Sequence, residues 1–167
     1  MGAYARGAKA GGVAGLLEGV LAGVWSYYVF SITAPLIRSL LVEQFRDQGL
    51  PPELADAVLS WMLVAAPVMS VIVHAVVGVV LGLLLVKVWE KLAFTWPVKG
   101  LAVAAVYVAV SVLISLVSGA AAPGAPALRA EIARELGALT YSGYLVSASL
   151  SIIYGLLYSY LLEYKFK

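Results

Sequence analysis

The chain has 167 residues, and it has no cysteine, a single histidine and few charged side chains. The absence of cysteine excludes a disulfide framework, a thiolate metal site and a thiol nucleophile. One histidine excludes a metal site built from several histidines of one chain. Charged residues make up 12% of the sequence, whereas an ordinary soluble domain contains about 25%. Such a chain cannot cover a soluble core, which excludes a soluble enzyme and a nucleic-acid-binding module.

Motifs that carry chemistry are also missing. The sequence contains no phosphate-binding loop, no nucleophile elbow and no haem-type pair of histidines. We therefore expect no cofactor, no bound metal, no nucleic-acid partner and no enzymatic activity. Tyrosines within the apolar runs, Tyr107 among them, are interpreted as packing and interface anchors. Asparagine is absent as well, which is a thermophile-like bias, although membrane chains are poor in amides in general.

Apolar residues are abundant: they form 63% of the sequence and give it a mean hydropathy of +0.98. A helix needs about 20 apolar residues to cross a bilayer core, and four runs reach that length. They lie at about 12–37, 57–86, 98–122 and 141–162. Continuous apolar runs do not alternate like barrel strands, so each is predicted to be a helix. The prediction is an all-α integral membrane protein, with four transmembrane helices in one domain over residues 1–167.

Basic residues are distributed unevenly between the segments that flank these spans. All six lysines, and Arg6, lie near the two chain ends or between the second and third spans. The loops on the other side carry arginines, no lysine and an excess of acidic residues. Short loops rich in basic residues stay on the cytoplasmic side of a membrane. We therefore predict a multi-pass protein of the cell membrane with both termini in the cytoplasm.

The two predicted outer loops have an amphipathic pattern of their own. In residues 38–49, charged residues alternate with apolar ones up to Gly49, which predicts a short amphipathic helix. Residues 126–139 repeat this pattern, with Leu128, Ile132 and Leu136 on one face. Such helices either lie in the lipid interface or cap the outer side of the bundle.

The sequence also indicates an internal duplication. An Ala-Pro-x-x-Arg motif begins at Ala34 and again at Ala125. A Gly-Leu-Leu motif followed by a glutamate begins at Gly82 and again at Gly155. The Ala-Pro-x-x-Arg motif precedes the Gly-Leu-Leu motif both times, and the corresponding spans cross the membrane in the same direction. This predicts two helical hairpins in a parallel repeat, with halves 1–97 and 98–167. Matches this short also arise by chance in sequences that use few residue types.

Small residues recur at every fourth position along the spans, which keeps them on one face of each helix. Lipid gives helices no hydrophobic reason to associate, so faces of small residues promote close backbone packing. The pattern predicts a glycine zipper and tight packing with little room for a wide aqueous cavity. The predicted packing positions are Gly11, Gly15, Gly19 and Gly23 in the first span, Gly78 and Gly82 in the second, and Ser147, Ser151 and Gly155 in the fourth.

Two titratable side chains, Glu18 and His74, lie inside the predicted spans. An ionisable residue within a membrane span indicates function by default. Their distances from the cytoplasmic surface differ by only about 6 Å, so they can meet and, with Ser70, form a proton or cation site. The alternative is structural: Glu18 lies in water at the interface, and His74 bonds to a hydroxyl or a backbone carbonyl.

These observations leave two functional hypotheses for a protein embedded in the lipid bilayer. The first is a non-enzymatic packing subunit, in a homo-oligomer or in an assembly with other membrane subunits, because packing signals are abundant and chemistry is scarce. The alternative is a small proton-coupled transporter or channel that uses Glu18 and His74.

Overall fold

The computed structural model describes residues 2–121, 134 and 137–166, and it arranges them as four long helices. These are α1 (Ala3–Asp47), α2 (Leu54–Lys91), α3 (Trp96–Ala121) and α4 (Gly137–Tyr160), followed by a π-helical turn at Leu161–Lys165. Each of the four is long and apolar enough to cross a membrane. The predicted class, an all-helical protein with four helices able to span a membrane, is confirmed.

α1 is much longer than the span predicted within it. Its 45 residues extend about 68 Å at 1.5 Å per residue, whereas a bilayer core is about 30 Å thick. Residues 38–47, predicted to belong to a separate amphipathic helix, continue α1 past Pro35 without a break. A change from apolar to charged residues ends an apolar span but not a helix, because Arg and Glu are good helix formers. The helix ends only before Gly49, whose φ is +70°.

Other predicted boundaries fall close to the observed helix ends. α2 contains the predicted span 57–86, while α3 and α4 begin two and four residues before their predicted spans. The second predicted amphipathic helix, at 126–139, lies outside the described residues except at residue 134 and at 137–139, which open α4. The second Ala-Pro-x-x-Arg motif, at 125–129, lies outside them as well.

α1 and α2 form an antiparallel hairpin in which the two backbones touch. A Cβ atom added at Gly7 would overlap the carbonyl oxygen of Gly82, and one added at Gly23 would lie 3.0 Å from the carbonyl oxygen of Pro67. Five glycines of α1 face α2 in this way: Gly7, Gly11, Gly15, Gly19 and Gly23. Only glycine permits this approach, so the hairpin depends on residues that lack a side chain.

α3 and α4 form a second antiparallel hairpin. A Cβ atom added at Gly155 would overlap the carbonyl oxygen of Gly100 and would lie 2.7 Å from the backbone nitrogen of Ala104. Further along the pair, the rings of Tyr107 and Tyr154 pack with their centroids 4.4 Å apart. This hairpin therefore combines one backbone contact with contacts between aromatic side chains.

Side chains of α4 join the two hairpins. Tyr154 donates a hydrogen bond of 3.3 Å to the carbonyl oxygen of Gly78, and Tyr158 donates one of 3.1 Å to that of Gly82. Both tyrosines are completely buried. Trp89 of α2 also donates a hydrogen bond of 3.3 Å to the hydroxyl of Ser159. The bundle is therefore held together by backbone packing within each hairpin and, between the hairpins, by these side-chain hydrogen bonds.

The bundle has two ends that carry different ion pairs. The terminal end is the one where α1 and α3 begin and α2 and α4 finish, and there Arg6 pairs with Glu90. The loop end is the one where α1 finishes and α2 begins, and there Arg38 pairs with Asp56 at 2.6 Å. Both pairs join α1 to α2, so they hold the first hairpin beyond its apolar part.

Candidate functional site

Glu18 is buried inside the bundle, next to the glycine face of α1. It is 2% exposed, and its Oε2 atom has no hydrogen-bond partner among the described residues. Its burial argues against the structural alternative, in which this carboxyl lies in water at the interface. A buried carboxylate without a full set of partners is costly, because protein and lipid solvate its charge poorly.

His74 lies on α2 at the height of Glu18. A Cβ atom added at Gly19 would lie 3.1 Å from the Cβ of His74. The Nδ1 atom of His74 lies 2.7 Å from the carbonyl oxygen of Ser70 and 3.4 Å from its hydroxyl. Because a carbonyl oxygen only accepts, Nδ1 carries the proton, and Nε2 is an acceptor in the neutral ring. The bond to a backbone carbonyl, one of the structural roles considered for His74, is thus present, and it fixes the tautomer.

Tyr107 of α3 completes this group of side chains. It is 3% exposed, its ring centroid lies 6.5 Å from that of His74, and it lines the same cavity as Glu18. Its assignment as a packing residue missed this position. The sequence signal for Tyr107 is its spacing of four residues from Ser111, which places both on one face of α3. Both residues line the cavity.

Glu18, His74 and Tyr107 line a cavity of about 300 Å³ between the four helices. Its other polar lining residues are Trp25, Ser26, Ser70, Ser111, Ser147 and Ser151. Along α1 the lining runs from Glu18 to Ser26, about 12 Å toward the loop end at 1.5 Å per residue. The expectation of tight packing with little room for a wide cavity fits this half of the bundle less well than the terminal half, where a smaller apolar cavity of about 70 Å³ lies between α2 and α3.

Three tyrosines lie at the end of the cavity that is nearer the terminal end, and we call them the tyrosine stack. The ring centroids are 4.4 Å apart between Tyr107 and Tyr154 and 6.1 Å apart between Tyr154 and Tyr158. Tyr154 bonds to Gly78, which is one helical turn beyond His74 toward the terminal end. The tyrosine stack and the glycine contacts of α1 and α2 therefore fill the interior on that side of Glu18.

The three residues predicted to form a proton or cation site, Glu18, His74 and Ser70, all line this one cavity. In the part of the chain that the structure describes, no hydrogen bond or ion pair joins Glu18 directly to His74. Ser147 and Ser151, predicted as packing positions, line the cavity as well. The predicted packing glycines lie instead at contacts within the hairpins: Gly11, Gly15, Gly19, Gly23, Gly78, Gly82 and Gly155.

The side chains of the cavity determine which ligands it suits. Among the described lining residues, Glu18 is the one acidic side chain, and none is lysine or arginine. No group of three or more His, Asp and Glu residues within the described ranges is placed to hold a metal ion. The cavity thus offers one carboxyl, one imidazole and several hydroxyls. That set suits a proton or a monovalent cation better than Ca²⁺ or Mg²⁺, which need more oxygen ligands.

No protein-family model matches the sequence, no curated protein is significantly similar to it, and no solved structure matches its fold. Function is therefore inferred from the geometry of the cavity and from the chemistry of its side chains.

Proposed function

We propose that this protein is a small membrane transporter or channel in which Glu18 binds the transported proton or cation. The observation that carries the proposal is a buried carboxyl group with an unpartnered oxygen on a cavity between the helices that is lined by both polar and apolar side chains. An unpaired carboxylate is costly in such a place, so the group either holds a proton or pairs with a cation that enters the cavity. An apolar residue would fill the same space without this cost if the position served packing alone.

The arrangement of the bundle supports a transport path. The cavity lining extends from Glu18 toward the loop end, whereas the tyrosine stack and the glycine contacts fill the interior toward the terminal end. A transporter needs a site that is reached from one side at a time, and it changes sides when one part of the bundle moves against the other. The two hairpins are the parts available for such a movement.

His74 is proposed as the relay that accompanies Glu18. Its Nδ1–H is committed to the carbonyl oxygen of Ser70, so a proton that arrives from the cavity can bind only at Nε2. Tyr107 lines the same cavity as Glu18 and His74, and its ring packs near that of His74. A proton on His74 would compensate the charge of an ionised Glu18.

The proposal is tested by measuring proton flux into liposomes that contain the purified protein and a pH-sensitive dye. The wild-type protein is expected to dissipate an imposed pH gradient, and Glu18→Gln is expected to abolish this flux, because the amide keeps the size of the side chain but cannot titrate. Glu53→Gln is the matched control, since Glu53 is exposed in the turn before α2. Flux that persists in Glu18→Gln, or is lost equally in both variants, would contradict the proposal.

The second candidate function is that of a non-enzymatic packing subunit in a homo-oligomer or a larger membrane assembly. Its main argument was the glycine zipper, and the five glycines of the α1 face contact α2 of the same chain. They are therefore already used within one hairpin, and we place this hypothesis second. Its test is the native mass of the protein after gentle extraction: a complex with other chains supports it, and a monomer contradicts it.

The topology and the repeat also belong to the proposal. The distribution of lysines supports cytoplasmic termini and a location in the cell membrane.

The parallel repeat is supported by two equivalent contacts, because Gly82 meets the carbonyl oxygen of Gly7 and Gly155 meets that of Gly100. In each case, the glycine of a Gly-Leu-Leu motif packs against a glycine near the start of the preceding helix.

A further inference from the structure

The cavity around Glu18 is larger than a proton or a bare ion requires. Its volume of about 300 Å³ is at the lower end of the range found for pockets that bind small organic molecules, about 300–1,000 Å³. An inorganic cation without its water would need several oxygen ligands at short distance, and Glu18 provides the one carboxyl group among the described lining residues. The space therefore fits an organic ligand of modest size.

Three polar atoms of the cavity are left to accept hydrogen bonds from a ligand. Glu18 Oε2 is unpartnered, and the proton of His74 is held by the Ser70 carbonyl, which leaves Nε2 as an acceptor. Ser151 donates its hydroxyl proton to the carbonyl oxygen of Ser147 at 2.9 Å, so its oxygen retains only acceptor capacity. A ligand that satisfies these atoms must bring N–H or O–H donors.

The charge and the aromatic rings of the cavity further restrict the class of ligand that it suits. With one carboxyl and no lysine or arginine among the described lining residues, an anionic ligand meets an unfavourable charge and a cation a favourable one. Trp25 and Tyr107 also line the cavity, and the faces of such rings attract ammonium groups. Apolar walls from Val73, Val77 and Leu150 suit a hydrocarbon body attached to the charged group.

We infer that the cavity binds a small organic ammonium ion that carries at least one N–H group, with its nitrogen on the Glu18 carboxylate and its hydrocarbon part against the aromatic and aliphatic walls. The inference rests on the proposed function and names the class of substrate for that same site. Unlike a proton, such a ligand occupies part of the cavity volume. Its binding can therefore be measured directly at equilibrium, without any membrane gradient.

The test is isothermal titration of the purified protein in detergent at neutral pH with four probes of similar size. Benzylammonium is expected to bind roughly tenfold or more tightly than benzyl alcohol and benzoate, because it alone pairs an N–H cation with a carboxylate. Benzyltrimethylammonium keeps the charge but has no N–H donor, and it is expected to bind more weakly than benzylammonium. Equal affinity for all four probes, no binding of benzylammonium, or tighter binding of the trimethyl compound would overturn the inference.

Variants locate the binding at Glu18. Glu18→Gln is expected to reduce the affinity for benzylammonium to that for benzyl alcohol, and Glu53→Gln to leave it unchanged. The comparison of the four probes uses the wild-type protein alone. The inference can therefore still be tested if Glu18→Gln does not fold. Glu18-dependent proton flux without benzylammonium binding would overturn this inference and leave the proposed function intact. Glu18-dependent binding of benzylammonium, without flux of either protons or benzylammonium into liposomes, would support the inference and contradict transport.

Discussion

Hydroxyl groups in the four helices bond in two different ways. Ser31 and Ser149 each donate to the carbonyl oxygen one turn earlier in their own helix, which satisfies the hydroxyl and links nothing else. Tyr154 and Tyr158 donate instead across the bundle to carbonyl oxygens of α2. The serine bonds are local, whereas the two tyrosine bonds stabilise the contact between the hairpins.

Replacing Tyr154 and Tyr158 together with phenylalanine is expected to destabilise the bundle. The rings remain, but two buried hydrogen bonds are lost, each worth about 0.5–1.5 kcal/mol. The apparent Tm of the double variant, followed by circular dichroism in detergent, should fall below that of the wild-type protein. Tyr144→Phe is the control, because Tyr144 is 71% exposed and its Tm should not change. A double variant with the same apparent Tm as the wild-type protein would show that the hydroxyls do not stabilise the bundle.

Sequence patterns identify some members of the site and miss others for a physical reason. Glu18 and His74 are conspicuous because a titratable side chain is rare in an apolar run. Tyr107 is not, because tyrosine is common in membrane helices and its role depends on which residues of other helices surround it. The cavity could not be predicted either, since it results from how the two hairpins pack and no local pattern encodes a volume between four helices.

At the level of helices, the first hairpin shows how packing overrides local preference. Glycine is a poor helix former, about 1 kcal/mol worse than alanine per residue, yet α1 has glycine at every fourth position from Gly7 to Gly23. The close approach to α2 offsets this cost, because each of these glycines meets α2 where a Cβ would be crowded or would overlap. The same substitution should therefore have opposite effects at contact and non-contact positions.

Gly15→Ala is expected to destabilise the protein and Gly143→Ala is not. A Cβ at Gly15 would overlap the carbonyl oxygen of His74, and the backbone must move to admit it, which costs about 1–3 kcal/mol in well-packed interiors. At Gly143, within α4, nothing lies within 4 Å of an added Cβ, so alanine should stabilise the helix by up to about 1 kcal/mol. The apparent Tm of Gly15→Ala should lie below that of the wild-type protein, and the apparent Tm of Gly143→Ala should lie above it. Equal losses at both positions would contradict the close contact at Gly15.

Hydropathy predicts the helices better than it predicts their ends. An apolar run reports where a chain can lie in lipid, and all four runs correspond to helices. The end of a helix depends on a residue that stops the backbone, as Gly49 does with its positive φ, and that residue lies well beyond the last apolar position of the span. The separate amphipathic helix predicted at 38–49 is therefore the last part of α1.

For the molecule as a whole, the absence of cysteine makes its orientation in the membrane easy to measure. Single cysteines at Gln48, just after α1, and at Thr95, between α2 and α3, lie at opposite ends of the bundle, and both native side chains are exposed. With cytoplasmic termini, a membrane-impermeant maleimide should label Gln48→Cys in intact cells and Thr95→Cys only after permeabilisation. The cysteine-free wild-type protein is the blank. Labelling in the reverse order would show that the termini face outward.

The different contacts within and between the hairpins also have a mechanical consequence. Where two backbones touch through glycines, there are no side chains to change rotamer. This holds along the first hairpin and only at Gly100 and Gly155 of the second, so the hairpins should behave as two plates, of which the first is the stiffer. Between the plates, α4 bonds to α2 through side chains, namely the hydroxyls of Tyr154 and Tyr158 and the Ser159 hydroxyl with Trp89, and such a joint can break and re-form as the plates tilt. The cavity lies beside this joint, on the side of the loop end, so its volume is the quantity that tilting changes most. We expect the softest motion of the protein to be a rocking of one plate on the other, which opens or squeezes the space around Glu18.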